Sequence, residues 1–239
     1  MILRKIVRRK LEGEPFMRFI TPESVRMYLG QPIINHSKTP AKDETGIAYG
    51  LAVGQVSSYV TPIEAVLHAG KGLFKFTGNV GKVMRESAEA ALSFIKSRAS
   101  VFNIPDDFFG NKDVHIHAPE GAVSKDGPSA GVAIATALTS AVLGIPVRHD
   151  VAMTGEINLR GQVLAIGGVC EKITAAHREG KTTVILPRSN DKDFDDVPST
   201  ILESINIVLA DNLDDVLREA LTEDPFKERT SVLNMTTNN

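Results

Sequence analysis

Residues 1–45 contain two short apolar stripes separated by polar connections. Near the start of the chain, apolar side chains recur at the spacing of an amphipathic helix, with arginine and lysine on the opposite side. This apolar stripe comprises Ile2, Leu3, Ile6, Val7 and Leu11. A second helix is predicted from an N-cap at Thr21, with proline at its first position, to about Leu29. Residues 30–45 are polar and contain proline, which predicts a linker.

From Gly46 onward, the pattern changes to apolar runs of strand length. Residues 47–53 and 60–67 are predicted strands, and Ser57-Ser58 between them suits a hairpin. The next predicted elements are a strand at 73–77, a helix from the turn at 78–81 to about Phe102, a strand at 114–118, and a helix at 129–143 closed by Gly144 and Pro146.

The last third of the chain continues this alternation, and residues 151–156 are predicted to pair with residues 162–166. The following elements are a helix at 169–178, a strand at 182–186, a short helix near Ile201, a strand at 205–209, a helix from Leu213 to about Leu221, and a disordered tail from Thr222. Alternating strands and helices with several hairpins favour a mixed-sheet α/β sandwich with a short N-terminal helical appendage.

Composition excludes several classes of protein. A chain of 239 residues with 42% hydrophobic content can form one domain of roughly 180 to 200 residues. Its net charge of −2 gives no general attraction to nucleic acid or anionic membranes, so neither is expected as a partner. No apolar run reaches the roughly 18 residues of a membrane span, and no secretory signal is apparent.

The expected compartment is the cytoplasm. Cys170 is the single cysteine, which excludes an internal disulfide and favours a reducing environment. The basic residues 1–10 lack the serines of a transit peptide and are followed by Glu12 and Glu14. The mitochondrial matrix is therefore the less favoured alternative.

Residues 124–131 read Ser-Lys-Asp-Gly-Pro-Ser-Ala-Gly and contain a candidate nucleophile, Ser129. Glycine and proline bring this serine to the start of a predicted helix of mostly small apolar residues, which we expect to be buried. Unpaired backbone N–H groups and the positive end of the helix dipole at this point suit an oxyanion. The alternative is that Ser129 is only a helix N-cap.

Lys172 is the candidate base for Ser129. It lies beside the apolar stripe of the helix predicted at 169–178, so its stem is expected to be partly buried. An amine in water has a pKa of about 10.4, and burial that lowers this value to about 7 or 8 would let the neutral amine accept a hydroxyl proton. Snorkelling of the charge to water is the alternative. A triad of Ser129 with His117 and Asp126 also has the required residue types, so His117 competes with Lys172.

Other chemistry-bearing residues do not form convincing sites. His115 and His117 alternate on a predicted strand, but two ligands are too few for a stable centre, so no metal is expected. Cys170 lacks a glycine-rich oxyanion turn and is interpreted as a small hydrophobic residue. Residues 78–83 have the wrong spacing for a P-loop, so ATP hydrolysis by that route is not expected.

Several ordered blocks together resemble the proteolytic domain of the Lon family of ATP-dependent serine proteases, from about Gly46 to Leu221. The blocks are Gly-Leu-Ala at 50–52, Thr77-Gly78, Gly-Lys-Val-Met-Arg-Glu-Ser-Ala at 81–88, His-Ile-His-Ala-Pro-Glu-Gly-Ala at 115–122, residues 125–131, Ala-Met-Thr-Gly-Glu at 152–156, and Gly-Gly-Val-Cys-Glu-Lys at 167–172.

The resemblance implies a Ser-Lys dyad in which Ser129 is the nucleophile and Lys172 the base. It gives supporting roles to further matching positions, with Thr154 expected to orient the lysine amine: these are His115, His117, Asp126, Thr154 and Glu156. The sequence departs from the family pattern at Ser124, at Cys170 and at Ser57-Ser58-Tyr59. None of these departures affects the dyad, although the last leaves the conformation of the hairpin open.

The resemblance also implies an organisation and partners. Residues 1–45 would be the end of an ATPase module and its linker, residues 46–222 the proteolytic domain, and residues 223–239 a disordered tail. A hexameric ring acting on unfolded proteins or peptides is implied. No cofactor is expected in this chain, since ATP and magnesium would belong to an ATPase module that the chain is expected to lack.

Two other classes of function stay open. A small-molecule kinase of the homoserine and mevalonate type also has a glycine-serine turn leading into a buried helix, and nucleotide binding would identify it. A catalytically idle assembly module would have Ser129 as a cap and a solvated Lys172. Covalent labelling of Ser129 would distinguish the peptidase from this last class.

Overall fold

The computed structural model describes residues 1–30, 42–54, 57–119, 121 and 124–227. The chain divides into two compact units, Met1–Lys38 and Thr39–Asn239. Most of the predicted linker at 30–45, and the part of the predicted tail from residue 228 onward, lie outside the described residues. The division of the chain at residues 45 and 222 therefore stays a prediction.

The first unit contains the two predicted helices, α1 (Ile2–Leu11) and α2 (Pro22–Leu29). Thr21 caps α2 through a hydrogen bond from the Ser24 backbone N–H to its hydroxyl, as the sequence predicted. The two helices are joined by a hydrogen bond of 2.6 Å from Lys5 Nζ to the Tyr28 carbonyl. The Tyr28 side chain is buried within this small unit.

The second unit is built on a seven-stranded mixed sheet. Its strands are β2 (Ile47–Val53), β3 (Ser58–Ala69), β4 (Phe74–Thr77), β5 (Lys112–His117), β7 (Val151–Met153), β10 (Thr183–Pro187) and β11 (Asn206–Ala210). Their order across the sheet is β11-β10-β7-β2-β3-β5-β4. Two small antiparallel pairs flank the sheet, β1 (Glu44–Thr45) with β6 (Pro146–Val147) and β8 (Glu156–Ile157) with β9 (Val163–Leu164).

Helices cover both faces of this sheet. They are α3 (Lys82–Ser97), α4 (Gly131–Leu143), α5 (Val169–Arg178), α6 (Ser199–Leu202) and α7 (Leu213–Ala220), with 3-10 turns at Phe108–Gly110, Pro128–Ala130 and Arg188–Asn190. Helices α3, α4 and α7 pack in one core with Ile63 and Ile116. Helix α5 packs in a second core with Tyr49 and Leu51. The predicted mixed-sheet α/β sandwich is thus confirmed.

Helix α4 is surrounded by protein, as its small apolar residues predicted. Every residue from Gly131 to Ser140 is buried, and Gly144 ends the helix in the left-handed conformation with φ of 69°. The Ser140 hydroxyl donates to the Ile145 carbonyl and accepts from the Gly46 backbone N–H, so this buried polar group is satisfied. The turn at Pro128–Ala130 is therefore followed directly by a helix that the protein encloses.

Four sequence predictions need correction. Helix α3 ends at Ser97 rather than near Phe102, because residues 98–103 turn and Asn103 takes a positive φ of 52°. The α-helix predicted from Ser129 begins at Gly131, because Pro128 starts a 3-10 turn instead. Residues 44 and 45, predicted as linker, form β1.

The fourth correction concerns β7. The sequence predicted that residues 151–156 pair with residues 162–166, but β7 lies between β2 and β10 in the main sheet, parallel to both. Only Glu156–Ile157 pairs with Val163–Leu164. The apolar run at 151–153 is typical of a strand buried on both faces, and all three of its residues are buried.

Gly78 provides a direct test of the turn that leads into α3. Its φ is +116°, and a Cβ there would lie 1.9 Å from the Ala118 carbonyl oxygen. We expect Gly78→Ala to lower the free energy of unfolding by about 2 to 4 kcal/mol, measured by denaturant titration. Gly110→Ala is the matched control, since a Cβ at Gly110 meets nothing within 4 Å. Equal unfolding midpoints for the two variants would contradict this description of the turn.

Candidate active site

The loop that precedes Ser129 is fixed to the start of α3. Asp126 Oδ1 accepts hydrogen bonds of 2.9 Å from the backbone N–H groups of Met84 and Gly127. The Gly81 N–H donates to the Lys125 carbonyl over 2.8 Å, and a Cβ on Gly81 would lie 2.2 Å from Asp126 Cγ. The first turn of α3 thus uses the Asp126 carboxylate as a cap, and the motif blocks at 81–88 and 125–131 meet here.

Ser129 lies in the 3-10 turn between this loop and α4. Gly127, with φ of 128°, allows the chain to enter the turn. The Ser129 carbonyl accepts hydrogen bonds of 2.9 Å from the Gly155 N–H and 3.2 Å from the Thr154 hydroxyl. The Val132 N–H donates to the Gly155 carbonyl over 3.1 Å, so the serine is held against the segment that follows β7.

Lys172 lies in the first half of α5, which begins after Gly168 in the left-handed conformation. Its side chain is 3% exposed, and its Nζ donates a hydrogen bond of 3.0 Å to Thr154 Oγ1. Burial lowers the pKa of Lys172 from 10.5 to about 8, because the surrounding protein disfavours the ammonium form. The partial burial expected for the Lys172 stem is confirmed, and the structure buries the whole residue.

Thr154 connects the lysine to the serine. Its hydroxyl has one proton, which it donates to the Ser129 carbonyl, so its oxygen acts as the acceptor toward Lys172. A neutral Lys172 therefore donates one N–H to Thr154 and keeps its lone pair for another partner. The predicted contact between Thr154 and the lysine amine is present in the structure.

Ser129 and Lys172 line one cleft of about 540 Å³. The cleft is lined by the end of β2, by the start of β3 and by residues 165–168, and a Cβ on Gly168 would lie 2.8 Å from Val53 Cγ2. Side chains give it a largely apolar lining: they include Leu51, Val53, Tyr59, Met84 and Ile166. Its volume lies in the range of clefts that bind small ligands.

The structure does not assemble the alternative Ser-His-Asp triad. His115 Nε2 and His117 Nδ1 lie 2.9 and 2.8 Å from the Thr77 hydroxyl, at the edge of the sheet that β5 and β4 form. Among the described residues, no hydrogen bond joins His117 to Asp126 or to Ser129. Burial lowers the pKa of His115, and the positive charge of the neighbouring Lys75 lowers it further.

The remaining sequence candidates are not among the residues that line the cleft. Glu156 begins β8, and Cys170 Sγ donates to the Asp196 carbonyl over 3.2 Å. In the described ranges, no three His, Cys, Asp or Glu side chains form a group that could hold a metal ion. Likewise, none of the helices in the described part of the chain is both long and apolar enough to cross a bilayer.

Sequence reasoning missed two buried polar residues, Asn190 and Lys181. Asn190 is 2% exposed and bonds to the backbone of Ile166 in the cleft wall. Lys181 is 4% exposed, its Nζ lies 3.3 Å from the centre of the Tyr49 ring, and burial lowers its pKa to about 7. Both lie in connections beside β10, where no hydrophobic period marks burial, so the sequence contained no signal for either residue.

Comparison with known proteins gives a consistent result. The family profile described as "Lon protease (S16) C-terminal proteolytic domain" matches residues 19–223. Lon protease 1 of Syntrophobacter fumaroxidans is 48% identical over 221 residues, which cover 92% of this chain and 27% of the relative. The Lon protease of Brevibacillus choshinensis is 45% identical over 228 residues, covering 95% of this chain and 29% of the relative.

A third relative, the Lon protease of Bacillus thuringiensis, is 50% identical over 202 residues, covering 84% of this chain and 25% of that protein. The chain thus spans between a quarter and three tenths of the length of the curated relatives it matches. The fold, the cleft and these matches lead to one assignment: the chain belongs to the Lon protease family and corresponds to the C-terminal proteolytic domain of its members.

Proposed function

We propose that this domain is a serine endopeptidase that cleaves peptide bonds with a dyad of Ser129 and Lys172. The observation that carries the proposal is the buried Lys172 amine, with a pKa of about 8, bonded to the same Thr154 hydroxyl that holds the Ser129 backbone. A lysine of this pKa has a substantial neutral fraction near pH 7 and can act as a general base.

In the proposed reaction, Lys172 Nζ takes the proton from Ser129 Oγ as this oxygen attacks the carbonyl carbon of the peptide bond. Backbone N–H groups of the turn around Ser129 stabilise the oxyanion of the tetrahedral intermediate. The intermediate collapses, and the Lys172 ammonium gives its proton to the leaving amine. An acyl-enzyme remains on Ser129.

Water then completes the cycle. Lys172, neutral again, removes a proton from water as the water oxygen attacks the acyl carbon. The second tetrahedral intermediate releases the carboxyl product, and the ammonium returns its proton to Ser129 Oγ. Because one amine serves as base and acid in turn, its pKa has to lie near the working pH rather than at 10.5.

Unfolded proteins and peptides are the proposed substrates, since a cleft of about 540 Å³ accommodates a short stretch of extended chain. By family resemblance, we also propose a hexameric ring, a cytoplasmic location, and dependence on ATP and magnesium bound outside this domain. The relatives are named Lon protease and are about three to four times longer than their matched part. The domain alone would therefore cleave peptides and unstructured proteins.

The two rival functions receive less support. A small-molecule kinase of the homoserine and mevalonate type is disfavoured because the family profile that matches residues 19–223 describes a protease. An idle assembly module with a solvated lysine does not agree with the 3% exposure of Lys172. The family assignment also favours a peptidase.

The dyad is tested by peptide cleavage with Ser129→Ala and Lys172→Arg. Arginine keeps the positive charge but cannot become a neutral base, so we expect both variants to lower kcat by at least about 1,000-fold. Ser93→Ala on the exposed face of α3 and Lys75→Arg at an exposed position are the matched controls. Retention of substantial activity by either dyad variant would refute the proposal.

The pH dependence of cleavage tests the role of the amine. The base has to be unprotonated, so kcat/KM for a peptide is expected to rise about tenfold per pH unit below pH 8 and to level off above it. Rates measured from about pH 6 to about pH 10 define this midpoint. A midpoint near 10.5, or a profile without a rise, would exclude Lys172 as the base with the lowered pKa.

Thr154→Val tests the connection between the dyad residues. Valine removes the acceptor for Lys172 and the donor to the Ser129 carbonyl, so kcat is expected to fall by about 10- to 100-fold. Loss of a hydrogen bond to the ammonium should also move the midpoint of the pH profile downward. Thr154→Ser keeps the hydroxyl and should retain most of the activity, whereas undiminished turnover by Thr154→Val would be incompatible with this role.

A further inference from the structure

The segment between β9 and α5, which lines the cleft, is held by hydrogen bonds to a side chain and not by pairing with another strand. Ile166 lies in this segment and belongs to no strand or helix. Its backbone N–H donates to Asn190 Oδ1 over 3.0 Å, and its carbonyl accepts from Asn190 Nδ2 over 2.9 Å. The Asn190 amide thus bonds both polar groups of one backbone residue, as a paired residue in an antiparallel sheet would do.

The orientation of this amide is fixed. Asn190 is 2% exposed and ends the 3-10 turn that follows β10. Its Nδ2 also donates over 2.6 Å to Asp193 Oδ2, so both amide protons and the amide oxygen have partners. A flipped amide would place its oxygen against the Asp193 carboxylate and the Ile166 carbonyl, both of which are acceptors, so the flip is disfavoured.

The neighbours of Ile166 have unused backbone groups. Ala165 and Gly167 line the cleft that contains Ser129 and Lys172, and both are exposed. Within the described ranges, the backbone N–H and C=O groups of Ala165 and Gly167 make no hydrogen bond. Ala165 and Gly167 thus lie directly before and after the residue that Asn190 holds, with their own backbone groups left for another partner.

We propose that Asn190 is a positioning residue for peptide binding, which holds Ile166 so that Ala165 and Gly167 present a main-chain edge to the substrate. The inference rests on the proposed function and adds to it how the substrate backbone is recognised. An extended peptide would pair with this edge as an added strand, which needs no particular side chain. The cleft could therefore accept chains of varied sequence.

The role of Asn190 is separable from that of the dyad. Lys172 is positioned by α5, in which Val169 and Ile173 are buried in the second core, and by its bond to Thr154. Neither contact involves Asn190. Loss of the Asn190 amide should therefore weaken the binding of a peptide backbone more than it changes the reactivity of Ser129.

The test compares Asn190→Ala with wild type on two kinds of reactant. For a peptide of several residues we expect KM to rise about tenfold, with a smaller change in kcat, because two hydrogen bonds that order the segment around Ile166 are lost. Acylation of Ser129 by a small sulfonyl fluoride, which has no peptide backbone, should keep its rate within about twofold. Equal losses toward both reactants, or an unchanged KM, would overturn the proposal.

Asn111→Ala is the matched control. Asn111 comes directly after a 3-10 turn, and its Nδ2 also donates to an aspartate, Asp107 Oδ2, over 3.2 Å, but it is exposed. If Asn190→Ala does not fold, Asp193→Ala decides the question, because it removes only the carboxylate that orients the amide. It should raise KM by a smaller factor than tenfold, and no rise in KM would contradict the proposal.

Two further measurements do not depend on catalysis. Hydrogen exchange at the Ile166 amide should accelerate in Asn190→Ala, whereas that of Lys172 should stay slow, and an unchanged Ile166 rate would contradict the proposed role. Binding of a labelled peptide to Ser129→Ala, with and without Asn190→Ala, gives the affinity directly, and an unchanged Kd would also overturn it. A wild-type protein that neither cleaves peptide nor acylates Ser129 would instead refute the proposed function.

Discussion

The burial of one lysine amine against one threonine hydroxyl is the interaction on which the rest of the site depends. Lowering the pKa of Lys172 from 10.5 to about 8 corresponds to about 3 kcal/mol against the ammonium form in the folded protein. Between about pH 8 and pH 10.5 the unfolded chain binds more protons than the folded protein does, so the free energy of unfolding rises with pH across this window. Burial of Lys172 therefore costs stability at neutral pH, and the two hydrophobic cores have to offset that cost.

The fold places three remote segments around this amine. Thr154 follows β7, an interior strand that pairs with β2 on one side and β10 on the other. Ser129 precedes α4, which is packed too tightly to move independently, and Lys172 extends from α5 on the other face. The Thr154–Gly155 segment bonds to Ser129 and Lys172 alike, so the two helices from opposite sides of the sheet meet at the end of one central strand.

Much of this arrangement could be predicted from local patterns. Gly167-Gly168 and the apolar stripe after them predicted α5 at Val169–Arg178, the bounds that the structure has. Small apolar residues predicted the burial of α4, and the glycine and proline before it indicated Ser129 as a candidate nucleophile. Partial burial of the Lys172 stem followed from its position beside the stripe, whereas the pattern left open whether the amine reaches water. The contact with Thr154 came from family resemblance, because nothing local connects residues 18 positions apart on different elements.

Two failures, the end of α3 and the start of α4, come from local turns at residues 98–103 and 128–130. The others concern contacts between segments distant in the chain. Residues 151–153 were assigned to a local hairpin because their parallel partners lie far away in sequence, at Gly50 and at residues 183–185. Asn190 bonds across 24 positions to Ile166, and Lys181 packs on Tyr49, so no periodicity marks either of them as buried. A direct NMR titration of the Lys172 amine, assigned by its loss in Lys172→Arg, is the most direct test of the central claim. The account predicts a midpoint of about 8, and titration at the ordinary value of 10.5 would contradict it.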